Sequence, residues 1–337
     1  MIKSHVTGQI FKDGNSKTIR NKVYSIGVQL MAKISVIGAG NVGATTVQRL
    51  AELELGEIVM TDIVEGLPQG KALDLMQAGA IKGYDTSIIG TNDYADIVDS
   101  DLVIITAGIA RKPGMTREDL IKINSKIIAE VSRNIAKYAP ESIVINVTNP
   151  LDIITYIAMK STGFETKKVF GMSGVLDSGR FASFIAEELK CSKKDVQAMV
   201  IGGHGDLMVP LPQYTTVSGV PLTDLLPGDR IARLVERTVN GGAEIVELLK
   251  QGSAFYAPSA AIVSMAEAVI KNSKRILPAS AYLEGQYGQE GIYFGVPVKL
   301  GASGVEEILE LKLDESQYEI LRKSSESIRN TISQIEV

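Results

Sequence analysis

The sequence predicts an α/β protein in which a doubly wound parallel sheet is followed by a mixed α+β lobe. Three observations predict it. From Lys33 to Leu189, short apolar runs of strand length alternate with segments whose apolar residues recur every three or four positions. A Gly-x-Gly-x-x-Gly stretch separates the first such run from the first helical segment. After Leu189 the rhythm changes to long helices and alternating runs broken by glycine.

Residues 1–30 do not share this rhythm. They hold five basic residues and one acidic, and Asp13-Gly14-Asn15 is a turn signal, which speaks against an amphipathic presequence. No apolar segment in them has the length of a secretory signal core. They read as an atypical extension upstream of a natural beginning at Met31.

From Lys33 the elements follow in order. Ile34-Ser35-Val36-Ile37 is a strand that leads into Gly38-Ala39-Gly40-Asn41-Val42-Gly43. Val42, Val47, Leu50, Ala51 and Leu53 then mark a helix, and Ile58-Val59-Met60-Thr61 a second strand ending at Asp62. Strand, glycine turn, helix, strand and terminal acid in this register form a dinucleotide-binding unit of the Rossmann type. The glycines allow a tight turn and a close approach of backbone to pyrophosphate, and the helix N-terminus offers free N–H groups. An acid at Asp62 accepts hydrogen bonds from the adenosine ribose and repels a 2′-phosphate, which predicts NAD rather than NADP.

The alternation continues. Residues 101–108 are a buried strand, and a loop from Ile109 to Met115 follows it. Thr116 with Asp119 is a capping box opening a helix toward Tyr138, which Pro140 ends. Ser142–Val147 and Val169–Met172 are further strands, the latter leading into a helix through Leu189. In the second half, strands flank His204, and a helix from Asp229 to Lys250 is expected to bend at Gly241-Gly242. Pro258 opens a helix toward Lys271, residues 276–311 alternate as antiparallel strands, and a last amphipathic helix covers Glu315 to Ile335. The predicted organisation is an extension over 1–30, a dinucleotide-binding domain over 31–174 and a substrate domain over 175–337.

Composition removes several function classes. Outside the extension, 30 basic and 38 acidic residues leave the body at −8, a poor match for nucleic acid. No apolar run reaches the ~18 residues of a membrane span. The single cysteine, Cys191, excludes an intrachain disulfide framework and fits a reducing, cytoplasmic compartment. One cysteine and one body histidine also speak against a zinc site, so no metal is expected.

That body histidine, His204, stands in Ile201-Gly202-Gly203-His204-Gly205-Asp206. Its side chain titrates near neutrality and suits proton transfer. Asp177 and Arg180 are three apart at a helix start and share one face. A carboxylate there can hold one imidazole nitrogen and favour the protonated ring, while an arginine matches a carboxylate bidentately. Arg111 and Arg117 lie on and after a loop with Gly108 and Gly114 at its ends, a segment able to close over a substrate. Together these residues imply a small dianionic substrate and a hydride transfer.

The stretches GAGNVG, TAGIARKPGMTREDL, VTNPLD, GVLDSGRF and GGHGD, in this order, closely resemble the lactate/malate dehydrogenase family, particularly its lactate-dehydrogenase-like malate enzymes. The resemblance covers Met31 to Val337. It implies His204 as general acid/base and Asp177 as the residue that orients it. It implies Arg180 on the C1 carboxylate, Arg117 and Asn149 on the C2 oxygen, and Arg111 on a second carboxylate where lactate enzymes carry glutamine. The cofactor residues implied are Gly38, Gly40, Asn41, Val42, Gly43, Asp62, Thr106, Ala107, Gly108, Asn124, Val147 and Asn149. Malate oxidation is therefore expected, with lactate or another 2-hydroxy acid as the alternative. A homo-oligomer is also implied, a tetramer or otherwise a dimer, with the helix around Asp177–Leu189 a candidate interface. Two rivals remain at this point: a metal-dependent NAD glycosidase, for which Cys191 has no companion ligand, and a catalytically inert NAD-binding regulator.

Overall fold

The computed structural model describes residues 31–110, 114–205 and 207–335, the side chain of Arg117 excepted. The expectations for the extension, for Arg111 and for the Arg117 side chain lie outside the described residues.

The predicted alternation is present. Strand β1 (Lys33–Ile37), helix α1 (Asn41–Glu52), β2 (Glu57–Thr61), α2 (Leu67–Lys82), β3 (Ile88–Thr91) and β4 (Leu102–Ile105) come first. They are followed by α3 (Arg117–Tyr138), β5 (Ile143–Asn146), α4 (Leu151–Thr162), β6 (Val169–Gly171) and α5 (Gly174–Leu189). The strands lie in the order β3-β2-β1-β4-β5-β6, all parallel. Leu102, Val103, Ile104 and Ile105 are wholly buried, as a strand covered on both faces by helices must be. The order reverses between β1 and β4, and the crevice outside the strand ends at that point is where such sheets bind ligands.

Thr116 caps α3 as expected, its hydroxyl accepting from the Asp119 backbone N–H while the Asp119 carboxylate accepts from that of Thr116. Helix α9 (Glu315–Ile332) carries the same device in Asp314 and Gln317. Between these come the short strands β7 (Val196–Gln197), β8 (Val200–Gly202), β9 (Met208–Pro210), β10 (Thr216–Val217) and β11 (Val220–Pro221), the short α6 (Leu222–Leu225), and then α7 (Gly228–Leu249) and α8 (Tyr256–Ile270). The long antiparallel strands β12 (Arg275–Glu284), β13 (Glu290–Gly301) and β14 (Gly304–Ile308) precede α9.

Two features differ from expectation. The sheet does not stop at β6: Gly171 pairs with Ser280 of antiparallel β12, then β13 and the β8–β9 hairpin continue the order. This carries the loop after β8, and with it His204, onto the same sheet as the parallel strands. Helix α7 runs unbroken through Gly241-Gly242, and there the missing side chains serve proximity. A Cβ on Gly241 would lie 3.3 Å from Arg180 Cδ, and one on Gly242 would lie 3.6 Å from both terminal guanidinium nitrogens. Pro258 falls inside the first turn of α8 rather than opening it, a position where its missing N–H would be unpaired in any case.

Candidate active site

The glycine turn after β1 is held from several sides. Gly38 has φ +107° and its N–H donates to the Thr61 carbonyl (2.8 Å). Thr106 Oγ1 donates to the carbonyls of Ile37 (3.2 Å) and Gly38 (3.0 Å), tying the end of β4 to the turn. A Cβ on Gly43 would stand 1.8 Å from the Gly38 carbonyl oxygen, so only glycine lets α1 start this close to β1. Asp62 Oδ2 accepts from the Ala39 N–H (2.7 Å) and Oδ1 from that of Val64 (3.0 Å). Lys71 of α2 donates from Nζ to the Ala39 carbonyl (2.7 Å), a contact with no sequence signal.

Above this turn the chain leaves room and unpaired donors. Among the described residues nothing beyond the neighbouring backbone lies within 4 Å of where a Cβ on Gly40 would be. Helix α1 has no side-chain cap and no acidic residue in its first turn, so the N–H groups of Asn41, Val42 and Gly43 face the positive end of the helix dipole unaided. An uncapped N-terminus behind an open glycine fits a pyrophosphate, and an acid at the end of β2 fits a ribose. The residues present therefore suit NAD.

The other cofactor candidates line the ends of β4 and β5. Thr148 donates from its hydroxyl to the Ala107 carbonyl, and Gly108, with φ +137°, lies so close that a Cβ would meet Thr148 Cγ2 at 2.6 Å. Asn124 is wholly buried. Its Nδ2 donates to the carbonyls of Asn149 (2.8 Å) and Ile109 (3.2 Å), and its Oδ1 accepts from Ile109 N–H (2.9 Å). The amide thus binds the two loops to each other. Val147 is half-buried and Asn149 exposed, before a cis bond to Pro150.

The catalytic candidates meet. Asp177 is buried at the start of α5, and its Oδ2 lies 2.9 Å from His204 Nδ1. Its Oδ1 accepts from Arg180 Nη1 at 3.0 Å. One carboxylate thus grips both the imidazole and the guanidinium, whose side chains are only 14% and 13% exposed. Arg180 Nε is buried without an acceptor among the described residues. Burial pulls the His204 pKa down, but the Asp177 carboxylate, by charge and hydrogen bond, and Asp152 together outweigh burial and the opposing Arg180. The net direction is upward from the ordinary 6.5.

Sequence reasoning assigned no role to Asp152 or Ser280. Asp152 Oδ2 accepts from the His204 backbone N–H at 3.2 Å, and Oδ1 from Ser280 Oγ at 2.6 Å. The available signal was a single acid in the apolar run Leu151-Asp152-Ile153-Ile154; Ser280 gave none.

Comparison with known proteins adds the following. Residues 32–171 match the NAD-binding domain of lactate/malate dehydrogenase, and residues 174–337 its alpha/beta C-terminal domain. A malate dehydrogenase of Methanosarcina barkeri is 97% identical over 307 residues, 91% of this chain and 100% of that protein. The solved malate dehydrogenase of Picrophilus torridus shares 46% identity over 90% of this chain and 97% of its own, at a TM-score of 0.88. A lactate dehydrogenase of Cryptosporidium parvum, solved with lactic acid and NAD, shares 41% over 92% of this chain and 100% of its own, at 0.87.

Proposed function

The chain belongs to the lactate/malate dehydrogenase family, and on that premise we propose that His204, gripped by Asp177, moves the proton in its reaction. That reaction is the reversible, NAD-dependent oxidation of malate to oxaloacetate. The observation that carries the site reading is the single buried carboxylate shared by His204 Nδ1 and Arg180 Nη1.

With Asp177 accepting from Nδ1–H, Nε2 is the ring atom left to exchange a proton with substrate. It takes the hydroxyl proton of (S)-malate in one direction and returns a proton to the C2 oxygen of oxaloacetate in the other. Asp177 stabilises the imidazolium that forms and keeps Arg180 in place. Arg180 presents its remaining N–H groups to the C1 carboxylate. Asn149 and Arg117 donate to the C2 oxygen, where negative charge grows during reduction. Arg111 pairs with the second carboxylate, and closure of its loop excludes water. NAD, when bound, supplies the nicotinamide that exchanges hydride with C2. Gly38, Gly40, Asn41, Val42, Gly43 and Asp62 hold its adenosine and pyrophosphate, while Thr106, Ala107, Gly108, Val147 and Asn149 border the nicotinamide side, with Asn124 bracing the two loops.

We take residues 31–174 as the NAD-binding domain and 175–337 as the substrate domain, and place the protein in the cytoplasm as a homo-oligomer, a tetramer or otherwise a dimer. Among the described residues no helix is long and apolar enough to cross a membrane. An open groove of about 530 Å³ between α5, α7 and α8, lined by Val175, Phe184, Ile245 and Leu248, supports a self-association surface. Leu73 and Met76, exposed on α2, add further apolar surface for a second copy to cover.

The test is NADH oxidation with oxaloacetate, using wild type and His204→Asn. His204→Asn should bind NADH normally and lose turnover by ~10²–10⁴-fold. A variant that keeps most of its activity would make the histidine structural.

A further inference from the structure

We propose that Asp152 is a positioning residue for proton transfer, holding the backbone of His204 so that the ring meets Asp177. This rests on the reading of His204 as the proton-transfer group.

His204 sits between two glycines on the loop that joins β8 to β9, and Gly205 has φ +124°. Such a loop has little intrinsic stiffness. Its placement must come from what it touches. Asp152, the second residue of α4 and only 6% exposed, accepts the His204 backbone N–H at Oδ2. Its other oxygen is secured by the hydroxyl of Ser280 on β12, itself wholly buried. The anchor therefore joins segments 52 and 128 residues apart in the chain. A Cβ on Gly203 would meet Ser324 Oγ of α9 at 2.4 Å and Asp152 Oδ2 at 3.7 Å, so the loop backbone lies close against both α9 and α4. The carboxylate also lies in the first turn of α4, where the helix dipole favours negative charge.

Among the described residues the charged groups facing this anchor are His204 itself and, from α5, Asp177 and Arg180; Ser280 and Ser324 are neutral. Burial pushes the Asp152 carboxyl up, while the Ser280 hydroxyl and His204 pull it down. Asp152 needs no contact with substrate to matter. A displacement of about 1 Å remote from the chemistry can lower a rate ~10²-fold.

A buried acid that only stabilised the fold would change how much enzyme is folded, and its charge alone raises the His204 pKa. That charge is absent from Asp152→Ala and Asp152→Asn alike, so ring placement is read from what Asp152→Ala loses beyond Asp152→Asn, and from Ser280→Ala, which keeps the charge. The full chain should therefore be compared as wild type, Asp152→Ala, Asp152→Asn, Ser280→Ala and His204→Asn. The readouts are kcat and KM for oxaloacetate, NADH affinity by fluorescence, and the pH profile of kcat. Asp152→Ala should lower kcat ~10–100-fold with NADH affinity unchanged. The alkaline fall of its profile should move to lower pH than in Asp152→Asn, because beyond the charge lost in both variants the ring slips out of register with Asp177. Asp152→Asn can accept the His204 N–H with its oxygen and donate to Ser280, so it should restore most of kcat. If Asp152→Ala fails to fold, Ser280→Ala reads the same anchor, with a smaller fall in kcat and a smaller shift in the same direction. A midpoint in Asp152→Ala no lower than in Asp152→Asn, or an unmoved midpoint in Ser280→Ala, overturns the proposal, as does an asparagine variant as damaged as Asp152→Ala. His204→Asn that still turns over overturns the parent reading, and shows it independently of any change at Asp152.

Discussion

Replacing Asp177 by asparagine changes one oxygen to an NH2 group and leaves volume almost untouched, so its consequences can be worked from two distances. The native carboxylate accepts from Arg180 at 3.0 Å and from the His204 ring at 2.9 Å. Both partners are donors. Asparagine offers one acceptor and one donor, and can satisfy only one of them. If its oxygen stays with Arg180, its N–H faces Nδ1, which must then carry a lone pair; the proton moves to Nε2, and the ring cannot accept one from malate there. If the oxygen turns to His204, the amide faces the guanidinium, which has no Nε partner among the described residues. Removing one partner of a buried ion pair costs about 3–5 kcal/mol. At ~1.4 kcal/mol per tenfold, that is roughly two to three and a half decades in kcat/KM for oxaloacetate.

The same variant should shift the pH profile. The folded pKa of His204 is raised, so the imidazolium that oxaloacetate reduction needs is lost as pH rises through that raised value. Its contribution to stability follows the same sign: fully present below the unfolded pKa near 6.5, and lost as pH rises through the folded one. In Asp177→Asn the opposing carboxylate charge is gone and burial, the largest influence on the ring, prevails. The pKa then falls, and the alkaline limb moves to lower pH. The assay is kcat/KM for oxaloacetate across neutrality, with thermal unfolding in the same buffers. Activity within tenfold of wild type with an unmoved midpoint would refute the reasoning.

Three further outcomes are expected. Arg111→Gln should lower kcat/KM for oxaloacetate by at least ~100-fold and raise pyruvate reduction, since a second carboxylate enclosed without a partner is costly; a variant that keeps its oxaloacetate efficiency would remove Arg111 as the substrate reader. Asp62→Ser should improve relative use of NADPH over NADH, because the carboxylate that repels a 2′-phosphate is gone; equal wild-type efficiency with both cofactors would sink the assignment. A chain started at Met31 should match the full chain in activity and Tm, and an insoluble or inactive product would show that residues 1–30 belong to the fold.

What the sequence made legible was chemistry expressed in short spacing. The β1–glycine–α1–β2 unit, the Thr116–Asp119 cap and the shared face of Asp177 and Arg180 each lie within a span that one or two elements settle. Contacts made across the sheet left no such trace. The bond from Asp152 to His204 spans 52 residues, and that from Ser280 to Asp152 spans 128. Helix α2 escaped notice for another reason: Leu73, Met76 and Ile81 are exposed while Ala72 and Gly79 are buried, so no clean apolar stripe marks it. The glycine pair in α7 signalled flexibility by composition, whereas its use is to let Arg180 lie against a bare helix surface. Only the position of α5 beside α7 could have revealed that.

The scaffold itself does not choose the substrate. Malate and lactate enzymes superpose on this chain almost equally, at TM-scores of 0.88 and 0.87, so fold alone cannot separate the two activities. Nor can the buried pair, because a proton at a C2 oxygen and a C1 carboxylate are common to both 2-hydroxy acids. Discrimination must come from a group that meets what differs, a methyl against a carboxylate. The rigid parts of the site, Asp177, His204 and Arg180, sit on or against α5 and are occupied with one another. The segment between β4 and α3 is held at its start by Asn124 and at its end by the Thr116 cap. On the proposed reading a change there alters what is read without disturbing what reacts, so Arg111→Gln is expected to change the substrate and to leave proton transfer between His204 and the C2 oxygen intact.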